Sequence, residues 1–374
     1  MDKVKLKHFA KSSDNEKAYR WVTATRGSTI YFSQEKHENG AASLGQMAFR
    51  VLLQNLDMID AESLRDVPWT IGLKLWKEIS KNQLDSIRTW QTFVTAYRDE
   101  IVQDRIADLM SYRSSSKVFG GKEIALTPFL EVIQAPKFEW INLVTLASPV
   151  LLREQWMSIS KLSNLGGLYV YGPVEMYTLD DTVVRAWFNA ARDSGAFSAL
   201  KILLLQSQDR LTLGTLEYFQ AFPALRVVLL TGARLNTKGI EDIIQDTRWT
   251  WMNKSSLCLE IYQKWHSGSK VFHHDARLRD VYNLVHRKDL GADKCPQSPQ
   301  LNIKGGIEPS SNLWKRQDQL WFELKPAAEC TAKVVTQKRL AVRSEIDSKR
   351  LKMRSGAQRS MSDLFGELGG SQKR

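Results

Sequence analysis

Side chains able to do chemistry occur in this 374-residue chain, but their spacing does not bring them together. His273-His274-Asp275 groups three metal-ligating types. No second cluster stands at a spacing that would close a metal site, and neighbouring residues on a strand or helix point apart. There is no G-x-x-x-x-G-K-S/T loop to cradle phosphates and no G-x-G-x-x-G after a strand. Gly166-Gly167 sits inside a strand-like run and reads as tight packing. Lone Ser, Cys and His residues outline no nucleophile–base pair. Cys258, Cys295 and Cys330 are odd in number and scattered, which argues against a disulfide framework and for a reducing compartment. The expectation is a protein with no catalytic residues, no cofactor and no metal.

Charge supplies the next clue. The formal net charge is +12, and the segment 331–374 holds eleven Lys or Arg against four Asp or Glu, so more than half the excess is in the tail. Lys338-Arg339 and, nine residues on, Lys349-Arg350-Leu351-Lys352-Met353-Arg354 approximate a bipartite nuclear-import signal. Lys338, Arg339, Lys349, Arg350 and Lys352 are its candidates, and they imply the nucleus, with a cytoplasmic pool or a merely solvated basic tail as alternatives. Gln358-Arg359-Ser360-Met361-Ser362-Asp363-Leu364-Phe365 resembles the sliding-clamp-binding box, which implies a clamp contact through Gln358, Met361 and Phe365; Leu364 departs from it at the first aromatic place. Met1–Lys7 has no apolar core of a secretory signal, and no run approaches 18 apolar residues, so no membrane span is expected.

The elements that would carry a binding surface are repeated. Leu225, Val228, Leu230 and Leu235 fall in the pattern L-x-x-L-x-L-x-x-N/C-x-L, with Ala233 at the N/C place and Thr237 placed to cap a following helix. Leu200-Lys201-Ile202-Leu203-Leu204-Leu205 and Leu165-Gly166-Gly167-Leu168-Tyr169-Val170 repeat the frame, and Trp140-Ile141-Asn142-Leu143 is a weaker copy. Helical patterns at 182–188 and 213–219 lie between them. This predicts leucine-rich repeats over 138–286, with an ordinary α/β domain of evenly spaced strands as the alternative. Residues between the leucines point away from the helices and would form the substrate surface: Tyr169, Tyr171, Lys201, Gln206, Arg226 and Thr231. Leu257–Tyr262 alternates like a closing strand, and 275–288 predicts a last helix.

Ahead of the repeats, Leu44, Met47, Ala48, Val51 and Leu52 follow i, i+3, i+4, i+7, i+8, while Phe49, Leu53 and Leu56 add a second stripe. Such a helix must be covered from two sides, one of which can be a partner. Helices starting near Pro68 (Ile71, Leu75, Ile79) and Ser86 (Ile87, Trp90, Val94, Tyr97) complete a three-helix module over 43–98. Residues 1–40 read as a poorly packed arm with one strand-like run, Ser28–Phe32. Residues 99–136 read as mixed, with a loop at Ser114-Ser115-Ser116. The Gly/Pro-rich stretch 288–312 reads as a linker, 313–324 as a short amphipathic helix, and the rest as disordered.

Ser43-Leu44-Gly45-Gln46-Met47-Ala48-Phe49-Arg50-Val51-Leu52 is similar to the elongin-C-binding box, with Ala48 in place of its Cys. Leu53–Ile59 followed by Val67-Pro68-Trp69 looks like the same region of elongin A, and 67–97 resembles a degenerate F-box. The resemblance implies docking of an elongin-C-like or Skp-like adaptor, and so of a cullin, through Leu44, Ala48, Phe49, Leu52, Pro68 and Trp69. A helical cap on the repeats is the alternative for this segment. The expected architecture is thus an α/β solenoid of irregular leucine-rich repeats, with an N-terminal three-helix F-box-like module and a basic disordered tail (287–374). The expected function is substrate recognition for a cullin-type ubiquitin ligase. A nuclear chromatin- or DNA-associated interaction protein using the tail, or a scaffold without a ligase link, are the rivals.

Overall fold

The computed structural model describes residues 14–26, 43–116, 126–149, 151–172, 179–232, 240–245, 247–267, 274–290, 298–306 and 319–325. The chain divides into Met1–Leu324 and Lys325–Arg374. All of the second unit except Lys325 lies outside the described residues, and the import and clamp candidates lie there with it, as do Ser28–Phe32, Ala233, Leu235 and Thr237.

In chain order the elements are α1 (14–23), then α2 (Leu44–Gln54), α3 (Ala61–Arg65), α4 (Trp69–Lys81), α5 (Ile87–Ala96), α6 (Arg98–Asp104), α7 (Ala107–Met110), β1 (Ser111–Ser116), α8 (Thr127–Ile133), β2 (Ile141–Ala147), α9 (Arg153–Ser158), β3 (Leu165–Tyr171), α10 (Asp181–Ser194), β4 (Ile202–Leu205), α11 (Thr215–Phe219), β5 (Val227–Leu230), α12 (Ile240–Gln245), β6 (Trp249–Trp251), α13 (Ser256–Ser267), α14 (His274–Leu290), β7 (Gln300–Gly306) and β8 (Leu320–Leu324). The fold is mixed α/β around one eight-stranded sheet of order β1-β7-β2-β3-β4-β5-β8-β6. Strands β2 to β5 lie side by side in chain order and parallel, with β7 and β1 parallel on one flank and β8 antiparallel to both β5 and β6 on the other.

Local chemistry sets the boundaries. In α10 the Asp180 side chain accepts from the Thr182 and Val183 N–H groups, and Gly195 ends the helix at φ 68°, which a residue without Cβ adopts at little cost. Between α9 and α10, Trp187 Nε1 donates to the Trp156 carbonyl at 2.9 Å, so a large buried ring keeps its polar group satisfied. Helices α8 to α11 pack on one face of the sheet, against Val144, Leu146, Leu168, Val170, Leu203, Leu205, Val228 and Leu230. The frame points to these helices at Leu168, Leu203 and Val228, but in the weaker copy at Trp140–Leu143 the register is one residue off: Leu143 faces the opposite side and Val144 takes the inward place.

The N-terminal helices join that core at the β1 side. Trp90 is buried, donates to the Leu109 carbonyl at 2.9 Å, and has the Trp140 and Tyr112 rings 5.8 Å away. Tyr97 places its hydroxyl 2.6 Å from the Leu64 carbonyl and 2.9 Å from that of Val67. Its ring passes so close to α4 that a Cβ on Gly72 would come within 2.7 Å of it.

Several expectations need correction. Within the supposed N-terminal arm, α1 is packed: Ala18 and Val22 are buried, and the Trp21 ring sits 5.7 Å from that of Phe129. Ser114-Ser115-Ser116 is strand β1 rather than loop. Leu257–Tyr262 is part of helix α13, because Leu257, Cys258, Ile261 and Trp265 fall on one helical face against the sheet. The supposed linker contains β7, seated between β1 and β2, with Leu301 and Ile303 buried. Residues 320–324 of the supposed amphipathic helix are β8, and 313–318 lie outside the described residues.

The largest correction concerns the sheet's second face. A solenoid would leave it open, but here α13 and α14 cover it. Leu257, Ile261, Trp265, Leu278, Val281, Tyr282 and Val285 form a second core with Leu143, Tyr169, Tyr171, Ile202, Leu204, Val227 and Leu229. Gly166-Gly167 admits the close crossing, since a Cβ on Gly166 would meet Tyr282 at 2.8 Å and one on Gly167 would meet Leu278 at 3.2 Å.

Candidate docking surface

Helix α2 begins with a reciprocal cap. Ser43 Oγ accepts from the Gln46 N–H at 3.3 Å, and Gln46 Oε1 accepts from the Ser43 N–H at 3.0 Å. Downstream, the Asn55 side-chain amide donates to the Val51 carbonyl at 2.8 Å. The helix carries two apolar stripes on opposite sides. Leu53 is buried, and Phe49 and Leu56 pack against the main core beside it. On the other side Leu44 is 81% exposed, Val51 58%, Met47 46% and Leu52 41%, and Ala48 is exposed among them. Met58 and Ile71 are further exposed apolar residues of the same module. Arg50 is the only charge on α2.

The residues expected to dock an adaptor therefore separate into two groups. Leu44, Ala48 and Leu52 lie together on the outer stripe. Phe49 faces the other way, so its packing is internal. Trp69 is likewise engaged inside the module: its ring lies 5.1 Å from Tyr97 and its Nε1 donates to Asp104 Oδ2 at 2.6 Å. Pro68 is exposed and starts α4, its carbonyl accepting from the Ile71 and Gly72 N–H groups. Met47 and Val51 belong to the surface although the motif does not include them; their i+3 and i+7 places in the outer stripe are the signal that identifies them.

The substrate surface expected on the strands is not a surface. Tyr169 and Tyr171 are fully buried under α13 and α14, with their rings 4.9 Å apart, and Tyr169 donates to Gln206 Oε1 at 2.7 Å. Burial in that apolar layer pushes the Tyr169 hydroxyl well above its usual range. Thr231 is buried, and its Oγ1 accepts from the Ser207 N–H. Lys201 and Arg226 are mostly covered and ion-paired to Asp289, at 2.9 and 3.3 Å.

No group of three or more His, Cys, Asp or Glu among the described residues could hold a metal, and His273 lies outside them. Burial pushes the Cys258 thiol up to about 12, so the thiolate a nucleophile needs is scarce at neutral pH. No helix among the described residues is long and apolar enough to cross a membrane. Neither a protein-family model, nor a curated protein, nor a solved structure matches the chain.

Proposed function

We propose that this chain is a non-enzymatic interaction protein that docks an elongin-C-like or Skp-like adaptor through α2, and serves as a substrate-recognition subunit of a cullin-type ubiquitin ligase. The observation that carries the reading is the outer stripe of α2. Leu44, Ala48 and Leu52 stand at i, i+4 and i+8, the spacing that helix-in-groove recognition uses, and they are exposed on a helix anchored from behind by Leu53. Burying an exposed Leu or Val side chain contributes about 1.5–3 kcal/mol, so a partner groove covering this stripe has a sufficient driving force. The resemblance of Ser43–Leu52 to the elongin-C-binding box selects the partner.

Leucine-rich-repeat character for β2 to β5 belongs to the same proposal. It is supported by four parallel strands in chain order with helices between them on one face. Substrate recognition falls to surfaces other than Tyr169, Tyr171 and Thr231, which are internal. The basic clusters at Lys338-Arg339 and Lys349–Arg354 add nuclear import to the proposal.

The full chain should co-purify elongin C or a Skp-type adaptor from native lysate. Combining Leu44→Ala with Leu52→Ala should abolish this capture while the circular dichroism spectrum is retained. Truncating one central anchor costs about 2 kcal/mol or more, roughly thirtyfold in affinity. Recovery of neither adaptor by folded, soluble protein would overturn the ligase reading. For the tail, a fluorescent fusion should be nuclear and the Lys349/Arg350/Lys352→Ala variant should spread into the cytoplasm.

A further inference from the structure

We infer that Lys201, His286 and Asp289 form an acid-releasable clasp that holds the C-terminal turn of α14 over the entrances of β4 and β5. Lys201 immediately precedes β4 and Arg226 immediately precedes β5, while Glu323 lies at the same end of the sheet because β8 runs antiparallel and pairs Glu323 with Val227. Asp289, from the last turn of α14, reaches into this group. Lys201 Nζ lies 2.9 Å from Asp289 Oδ2 and 3.1 Å from His286 Nδ1. Arg226 Nε approaches Asp289 Oδ1 at 3.3 Å, an ion pair without hydrogen-bond geometry, and Arg226 Nη2 approaches Glu323 Oε1 at 3.6 Å. Ser255 Oγ, at the start of α13, closes the chain by donating to Glu323 Oε2. Side-chain exposures of Lys201, Asp289, Arg226 and Glu323 run from 17% to 22%, so solvent screens these pairs less than it would on an open surface.

The charges balance: two cations, Lys201 and Arg226, face two carboxylates, Asp289 and Glu323. The remaining member is an imidazole. A lysine ammonium has donors only, so Nδ1 of His286 must be the acceptor and the ring proton must be on Nε2. That Nε2 is buried without a hydrogen-bond partner. The Tyr282 ring lies against the imidazole one turn earlier, at 5.8 Å. The other charges of the turn are directed elsewhere, Lys288 to Glu260 and Arg287 to the Asn283 carbonyl.

Adding a proton to Nδ1 would place an N–H opposite the Lys201 ammonium and leave the cluster with an unbalanced positive charge. The turn must then move away. Burial and Lys201 hold His286 below its ordinary 6.5, with Asp289 opposing them. The opened turn therefore binds the proton more readily than the closed one. Closure is fully favoured above pH 6.5 and weakens as pH falls below it.

Hydrogen exchange of the full chain at pH 7.5 and 5.5, corrected for intrinsic rates, tests this. We expect exchange over 282–290 to accelerate by up to about tenfold on acidification relative to β2–β5, the ceiling set by protonating the opened turn's imidazole one pH unit below its ordinary 6.5. His286→Asn keeps a side-chain acceptor near the Nδ1 place and cannot titrate, so its acid response should vanish. An equal response in that variant, or none in the parent, overturns the clasp. If His286→Asn fails to fold, NMR titration of His286 in the parent decides: a midpoint below 6.5 supports the clasp, and one at or above it refutes it.

Discussion

The outer stripe of α2 and the second face of the sheet are both apolar surfaces that the local sequence leaves without a cover, yet the described residues cover only one of them. Tyr169, Ile202, Leu204, Val227 and Leu229 are sealed by α13 and α14, which begin some 25 residues or more further along the chain. Leu44, Met47, Val51 and Leu52 remain open to solvent. Apolar patterning determines that a face must be covered; it does not identify the cover, which here comes from the same chain in one place and, in the proposed function, from a partner in the other.

Substitutions break or sharpen that comparison. The largest effect belongs to the sheet. Leu229→Asp on the second face should destabilise about as severely as Val228→Asp on the first, on the order of 4 kcal/mol each, because both bury an unpaired charge. Urea titration measures this, and a Leu229→Asp protein with parental stability would show that the second face is open. Next comes the inner stripe of α2. Leu53→Ala should cost about 2–5 kcal/mol, the range for truncating a buried leucine. Ser43→Ala removes one arm of the capping box and should cost about 1 kcal/mol. Leu44→Ala, on the outer stripe, should change stability by no more than about 0.5 kcal/mol. If it lowered the melting temperature as much as Leu53→Ala does, the two stripes would not be distinct.

Much of the main core was legible because its periods are strong. The Leu203/Leu205 and Val228/Leu230 pairs mark strands facing helices, and Val183, Val184 and Trp187 mark the buried side of α10. The sealed second face also left a sign that the repeat pattern obscured. Ile202-Leu203-Leu204-Leu205 and Val227-Val228-Leu229-Leu230 have no polar alternate positions, as expected of parallel strands buried on both sides. Strand β7 was concealed for a different reason. Gln300 and Asn302 are polar but buried, their side-chain amides donating to Asn283 Oδ1 at 2.6 Å and to Ser111 Oγ at 3.1 Å, so a central strand resembles a linker. At α1 the buried apolar residues are Ala18 and Val22 alone, too few to reveal a packed helix. For the candidate docking surface, the apolar spacing marked α2 and its two stripes, whereas the resemblance grouped Leu52, which faces out, with Phe49, which faces in.

The position of β7 has a consequence for synthesis. β2 cannot gain its second neighbour until residues 300–306 are made, and β5 must wait for 320–324. At typical elongation rates of about 5–20 residues per second, β2 emerges with one side unpaired for roughly 8–30 s before β7 exists. An unpaired parallel edge of this kind is a template for pairing with other chains. A ribosome stall or premature stop before residue 300 would therefore release a nascent chain whose helices and inner strands are present and whose sheet is open on both flanks, a substrate for chaperones rather than a smaller version of the same domain.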